Sequence, residues 1–266
     1  LTYMLGYIGL SLYQDGDFNK IDWRMGIYFG INFVLLMFSY VLIYMMEKAF
    51  GYVSPITLVE LSNINTPLLK KLSETCAGTF QHSLQVSILA SAASAKIGAD
   101  TQLVRTGALY HDIGKMKNPP FFTENQMKGI NPHRDLPFEQ SAQIIISHVT
   151  EGIKMAEKAG LPEAIIDFIR THHGAGKAKY FYNSYCNAHP GEPVDESLFT
   201  YPGPNPFTRE TAILMMADSV EAASRSLNEY TDETIRALVN KIIDGQIADG
   251  LMRNAPLTFR DIDKIK

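Results

Sequence analysis

The residues able to do chemistry in this chain are mostly histidines and aspartates. His111 and Asp112 stand side by side in His-Asp-Ile-Gly-Lys (111–115), with His82 before them and His148, the His172-His173 pair and Asp218 after them at wide intervals. A fold that gathered these side chains would bring seven N and O donors to one place, a set better suited to two metal ions than to one. Imidazole mixed with carboxylate and no thiolate favours Mn, Fe, Zn or a similar divalent ion, because Ca and Mg sites are usually all oxygen. Cys76 and Cys186 have no metal-ligand spacing to another cysteine, which argues against a Cys-type structural zinc site. A carboxylate has two oxygens, so Asp112 can bridge two ions with His111 on one of them. Ions bridged at ~3.5–4 Å generate hydroxide at neutral pH and clamp the entering and leaving oxygens of a phosphoryl displacement. Phosphoester hydrolysis is the chemistry this donor set serves best. Asp112 is then a catalytic carboxylate, and Lys115 is placed to contact a phosphate or to orient Asp112. A lone histidine such as His148 is more often a hydrogen-bonded core residue, but in company with the other donors it reads as a ligand. His133 and His189 lie in Asn-Pro-His (131–133) and Ala-His-Pro (188–190) and are left out of the first metal shell.

The elements that would position these donors read as helices throughout. Ser54 caps a short helix through Leu61, and Thr66-Pro67 opens another. His82 falls in Thr79–Ile97, which Gly98 stops, and Asp100 caps the helix that runs to His111-Asp112. His148 lies in Glu139–Lys158, Pro162–His172 ends in the histidine pair, and Arg209–Leu227 contains Asp218. Thr231 starts a final long helix to about Ala248. No alternating β-branched run suggests a sheet. Asn118–Leu136 and Gly174–Phe207 are rich in Pro, Gly, Asn and aromatic residues and read as long loops rimming the site. Asn131 and His133 in the first are candidate phosphate or base contacts. Tyr180, Phe181 and Tyr182 in the second offer a stacking surface for a nucleobase, or packing for the loop itself.

The 266 residues are 46% hydrophobic, enough for a substantial core, but that content is unevenly spread. Ile27 to Met46 holds no charged residue and matches the ~20 residues needed to cross a bilayer, with Trp23, Tyr28, Tyr40 and Tyr44 suited to its interfaces. Residues 1–24 read as the end of a preceding span plus a polar loop, 25–47 as a transmembrane helix, 48–77 as linker helices, and 78–266 as a catalytic domain. Lys48, Lys70 and Lys71 follow the span, which puts that domain in the cytoplasm, and two unpatterned cysteines agree with a reducing compartment. A net charge of −4 without a basic stripe gives no support to a nucleic-acid polymer as partner. A homo-oligomer is left open.

The ordered donors resemble the HD-domain metal-dependent phosphohydrolases in their two-metal form. Gly-Thr-Phe-Gln-His-Ser-Leu (78–84), Leu-Tyr-His-Asp-Ile-Gly-Lys (109–115), Phe-Phe-Thr-Glu-Asn-Gln (121–126), Ile-Ser-His-Val (146–149), His-His-Gly (172–174) and Lys-Tyr-Phe-Tyr (179–182) narrow this further. Together with Asn-Pro-His (131–133) they look like the seven-transmembrane HD, PgpH-type family of bacterial membrane proteins. That resemblance implies an all-α HD helical bundle behind a transmembrane helix in the bacterial cell membrane. It also implies hydrolysis of cyclic di-AMP to 5′-pApA at a dinuclear Mn or Fe centre, by attack of a metal-bridging hydroxide on phosphorus. By matching motif positions, His82, His111, Asp112 and Asp218 hold one ion, and His148, His172, His173 and the shared Asp112 the other. The HD-GYP enzymes, which act on cyclic di-GMP, carry Gly-Tyr-Pro after their His-His element, whereas this chain has Gly-Ala-Gly-Lys-Ala-Lys-Tyr (174–180). A phosphohydrolase of another nucleotide, such as cyclic di-GMP or a nucleoside polyphosphate, and a membrane-coupled nucleotide sensor are the alternatives.

Overall fold

A computed structural model describes residues 2–126 and 130–266, and the chain divides into two units, residues 1–54 and 55–266. The first unit holds α1 (Thr2–Asp15) and α2 (Arg24–Phe50), with a 3₁₀ turn over Phe18–Lys20 between them. Asp17 caps that turn by accepting a hydrogen bond from the Asn19 amide. With 27 residues at ~1.5 Å each, α2 is long enough for a ~30 Å hydrocarbon layer, and its large apolar side chains, Phe33, Leu36, Phe38 and Leu42 among them, are exposed. It is the candidate membrane span among the described residues. Water is a poor solvent for such a surface and lipid a good one. Gly51, at φ 67°, ends the helix in the left-handed conformation that glycine adopts without a Cβ penalty.

The second unit is helical, with no named strand among the described residues. It contains α3 (Pro55–Leu61), α4 (Pro67–Thr75), α5 (Ala77–Ile97), α6 (Thr101–Tyr110), α7 (Phe138–Lys158), α8 (Glu163–Thr171), α9 (Lys179–Ala188), α10 (Arg209–Ser224), α11 (Asp232–Ala248) and α12 (Phe259–Ile265). Of the stretch 48–77 read as linker helices, residues 55–77 pack into this unit: Leu58, Leu69 and Leu72 are buried, and the Tyr110 hydroxyl donates to the Leu61 carbonyl. α5 packs against α4, α6, α10 and α12, and one core is built from Val86, Val104, Phe168, Ile213, Leu214 and Met216. A second cluster, including Ile146, Val149, Phe181 and Phe199, joins α7 to α9 and the 3₁₀ turn Glu196–Phe199.

Local signals fix most boundaries. Asp100 accepts from the Leu103 amide at 2.9 Å, as its capping role requires, and the Thr231 hydroxyl closes a capping box with Thr234. Thr211 to Asp218 of α10 are buried without a break, so this stretch is enclosed on all sides rather than laid on a surface. That enclosure carries Asp218 into the interior. Gly174–Phe207 is not one long loop, because α9 lies within it, seated by Phe181. The final long helix is α11, as its Thr231 cap implies, and the short α12 follows it, capped by Thr258 and Asp261.

Candidate metal centre

Five elements converge on Asp112. α5 brings His82, the end of α6 brings His111, α7 brings His148, the end of α8 brings His172 and His173, and α10 brings Asp218. Helical geometry stops at Asp112 (φ −109°, ψ 14°), and the chain tightens into a 3₁₀ turn over Ile113–Lys117. This turn folds Lys115 back so that its Nζ lies 2.7 Å from Asp112 Oδ2 and 2.7 Å from Glu124 Oε1.

The two oxygens of Asp112 face different histidines. Oδ2 lies 3.3 Å from His111 Nε2 and 3.6 Å from His82 Nε2, whereas Oδ1 lies 3.4 Å from His148 Nε2 and 3.6 Å from His172 Nε2. Asp218 Oδ1 sits 2.9 Å from His82 Nε2 and 3.6 Å from His111 Nε2. Two ligand-like groups result, His82-His111-Asp112 and His148-His172-His173, each with its donor atoms within 4.8 Å of one another. All seven predicted donors are therefore in this one region, and all but the partly exposed His173 are buried.

Second contacts set the direction of each ring. The Nδ1 atoms of His111, His148 and His172 each donate to the carbonyl three residues earlier, on Ala108, Ile145 and Ile169, at 2.7, 2.6 and 2.8 Å. A helical histidine bonded in this way keeps its proton on Nδ1 and turns the Nε2 lone pair inward. His82 differs, because its Nδ1 donates to Glu221. Buried His111 Nε2 and Asp112 Oδ1 have no hydrogen-bond partner. Buried polar atoms are normally satisfied, and an imidazole nitrogen and a carboxylate oxygen left orphaned among these donors fit a site for a divalent cation. The donor set is suited to divalent metal ions.

Electrostatics follow the same division. Burial opposes charge on His111, but the carboxylates of Asp112 and Asp218 outweigh it and raise its pKa to about 10. Burial, helped by nearby His172 and Lys115, pushes His148 down to about 3. Burial also opposes charge on Asp112, yet Lys115 and His111 hold it well below the usual carboxylate range. These shifts set a pH dependence for protein stripped of metal by a chelator. Below ~6.5, unfolded chains protonate His148 while the folded form does not, so stability falls with acid. Above ~6.5 the folded form alone retains the His111 proton, so that stabilisation is lost as pH climbs through about 10. The melting temperature of the stripped protein should pass through a maximum between these limits. A monotonic rise from pH 5 to 10 would contradict this.

Asn131 accepts from the His133 amide, and His133 Nε2 donates to the Phe121 carbonyl at 2.9 Å with its ring against Phe121 and Phe181. Tyr180 is 74% exposed, while the Tyr182 hydroxyl donates to Glu196 and its ring is covered by Lys177. His189 donates to Tyr185, with no metal-type group around it among the described residues. Four residues of the site escaped the sequence reading. Glu221 lies one turn beyond Asp218 on α10, Arg225 one turn further, Glu124 sits in a quoted motif, and Tyr201 stacks on His173 at 4.2 Å. The i, i+3 spacing of Asp218 and Glu221 was the available signal; nothing around Tyr201 marks it.

An all-helical unit that buries histidines and aspartates around one bridging-type carboxylate defines the class: a helical domain built to hold divalent metal. The chain belongs to the HD domain family, whose model matches residues 79–223 and so spans all seven donors. A second model, the 7TM receptor with intracellular HD hydrolase, matches residues 1–54. The cyclic-di-AMP phosphodiesterase PgpH of Bacillus subtilis is 43% identical over 219 residues, 82% of this chain and 30% of that protein. PgpH of Listeria monocytogenes is 44% identical over 220 residues, 83% of this chain and 30% of that protein. This chain thus spans under a third of the length of these relatives. The crystal structure of the L. monocytogenes PgpH HD domain in complex with cyclic-di-AMP matches with a TM-score of 0.73 at 44% identity, covering 76% of this chain and 94% of that one.

Proposed function

We propose that this chain is the catalytic end of a membrane phosphodiesterase that hydrolyses cyclic di-AMP to 5′-pApA, with α2 in the bacterial cell membrane and the HD domain in the cytoplasm. The observation that carries this reading is the split of Asp112, one oxygen toward His82 and His111 and the other toward His148 and His172. The relatives named above act on cyclic di-AMP by their names, and the same base is proposed here. His82, His111, Asp112 and Asp218 would hold one ion, and His148, His172, His173 and Asp112 the other, with Mn or Fe suited to this donor set. When bound, such a pair supplies Lewis acidity to phosphoryl oxygens and activates water. The chain's own residues do the rest. Lys115 fixes Asp112, the backbone carbonyls hold three histidine tautomers, and burial keeps bulk water from competing for the donors. Cavities of about 330 and 560 Å³ both have His173 in their lining, and a dinucleotide is proposed to occupy this region. Tyr180, Tyr182, Asn131 and His133 serve at most as outer substrate contacts, since all but Tyr180 are engaged elsewhere in the fold.

The deciding experiment measures hydrolysis of cyclic di-AMP beside cyclic di-GMP by protein reconstituted with Mn or Fe. Faster cleavage of the adenine compound is expected, and faster cleavage of the guanine compound would overturn the substrate assignment. Glu221→Gln, which loses the charge that orients His82, should lower metal affinity roughly 10–100-fold in a metal titration while the fold is kept. Unchanged affinity would mean that Glu221 does not tune His82.

A further inference from the structure

Among the described residues, Lys115 and Arg225 are the cations that line the 330 Å³ cavity beside His82 and Asp112, and they differ in how much of the charged group remains open to a ligand. Lys115 is mostly buried, and its charge is balanced by Asp112 and Glu124. Arg225 ends α10 with a side chain 42% exposed. Its Nε and Nη2 donate to Glu221 at 3.2 and 2.8 Å, which leaves the Nη1 edge without a partner among the described residues. Glu221 therefore acts in two directions, accepting from His82 Nδ1 on one side and gripping the guanidinium on the other.

The position of Arg225 decides what it could bind. Its Nη2 lies 3.0 Å from His82 Nδ1, while the opposite ring nitrogen, Nε2, faces Asp218 and Asp112. The guanidinium is thus a ring's breadth behind the metal-type donor atoms, at the cavity wall rather than at its chemical centre. A planar guanidinium with two open N–H groups matches a phosphate better than an ammonium does. We propose that Arg225 binds the phosphate of the substrate that is not being cleaved, and that Glu221 is the positioning residue that sets it there. This rests on the reading of the substrate as a cyclic dinucleotide, which carries two phosphates.

The test compares Arg225→Gln with the parent protein, both loaded with metal. KM for cyclic di-AMP should rise about ten-fold or more, with a smaller fall in kcat, because a charge-assisted hydrogen bond is lost from substrate binding. The calorimetric Kd for the product 5′-pApA should weaken in parallel. Bound metal, counted by mass spectrometry, should match the parent. Arg225→Lys should fall between the two, since it keeps the charge and loses the fork. Ser226→Asp, which sets a carboxylate beside Arg225 on the same cavity wall, should raise KM without touching Glu221. A KM and a 5′-pApA Kd within about two-fold of the parent in Arg225→Gln would overturn the proposal, as would a KM rise wholly explained by lost metal. If the parent fails to cleave cyclic di-AMP at all, the substrate reading falls instead.

Discussion

Asp112→Ala should abolish phosphodiester hydrolysis and lower bound metal from two ions to one or none. The side chain is 2% exposed, and among the described ion-pair contacts it is the carboxylate whose oxygens reach both histidine sets. Alanine removes both oxygens at once, so neither set retains its shared ligand. A rate loss of at least ~10³ corresponds to about 4 kcal/mol of transition-state stabilisation. The same change leaves Lys115 with Glu124 alone, and breaking a buried ion pair costs about 3–5 kcal/mol, so melting must be followed beside activity. Asp112→Asn separates the two losses: it keeps the volume and one acceptor oxygen but carries no charge. It should hold metal poorly while folding better than the alanine variant. Two ions retained per chain in Asp112→Ala, counted by mass spectrometry, would show that Asp112 is not a bridge.

Metal chemistry was legible in this sequence because it demands residue types with few substitutes. Histidine and aspartate at His82, His111, Asp112, His148, His172, His173 and Asp218 can be picked out without knowing the path of the chain. Their supports could not be picked out in the same way. Three histidines are oriented by backbone carbonyls, which every residue has, and only the helical register reveals which carbonyl is used. Glu221 and Arg225 look like ordinary charges near a helix end until the fold brings His82 to them. Helix boundaries with a capping residue or a terminal glycine were readable at Asp100, Thr231 and Gly98, where local hydrogen bonding or backbone freedom decides the outcome. α9 was not, because its Tyr, Phe, Asn and Cys residues have modest helix propensity, and contacts between Phe181, Tyr185 and Phe199 hold it instead. Lys115 shows the same limit. Its spacing from Asp112 was plain, but Glu124, which balances its charge, comes from a turn nine residues further on.

Gly114→Ala should damage the site through the backbone rather than through any ligand. A Cβ at Gly114 would lie 1.8 Å from the His148 carbonyl oxygen and 2.5 Å from the Gly152 amide nitrogen, both main-chain atoms of α7. A flexible side chain could move out of the way, but a helix backbone can only shift as a whole. The 3₁₀ turn carrying Asp112 and Lys115 must therefore separate from the helix carrying His148, and Asp112 Oδ1 must draw away from His148 Nε2, now at 3.4 Å. Overpacking of a close contact costs about 1–3 kcal/mol, occasionally more, and main-chain atoms on both sides put this case at the upper end. The melting temperature should drop by several degrees, and the His148-His172-His173 group should lose its ion while His82, His111 and Asp218 keep theirs, giving one metal per chain. Gly245→Ala is the matched control for stability, because nothing lies within 4 Å of a Cβ there and α11 gains up to about 0.5–1 kcal/mol from replacing a glycine in its last turn. A Gly114→Ala protein with the parent's melting temperature and two bound ions would show that the close approach of these two segments is not what holds the halves of the centre together.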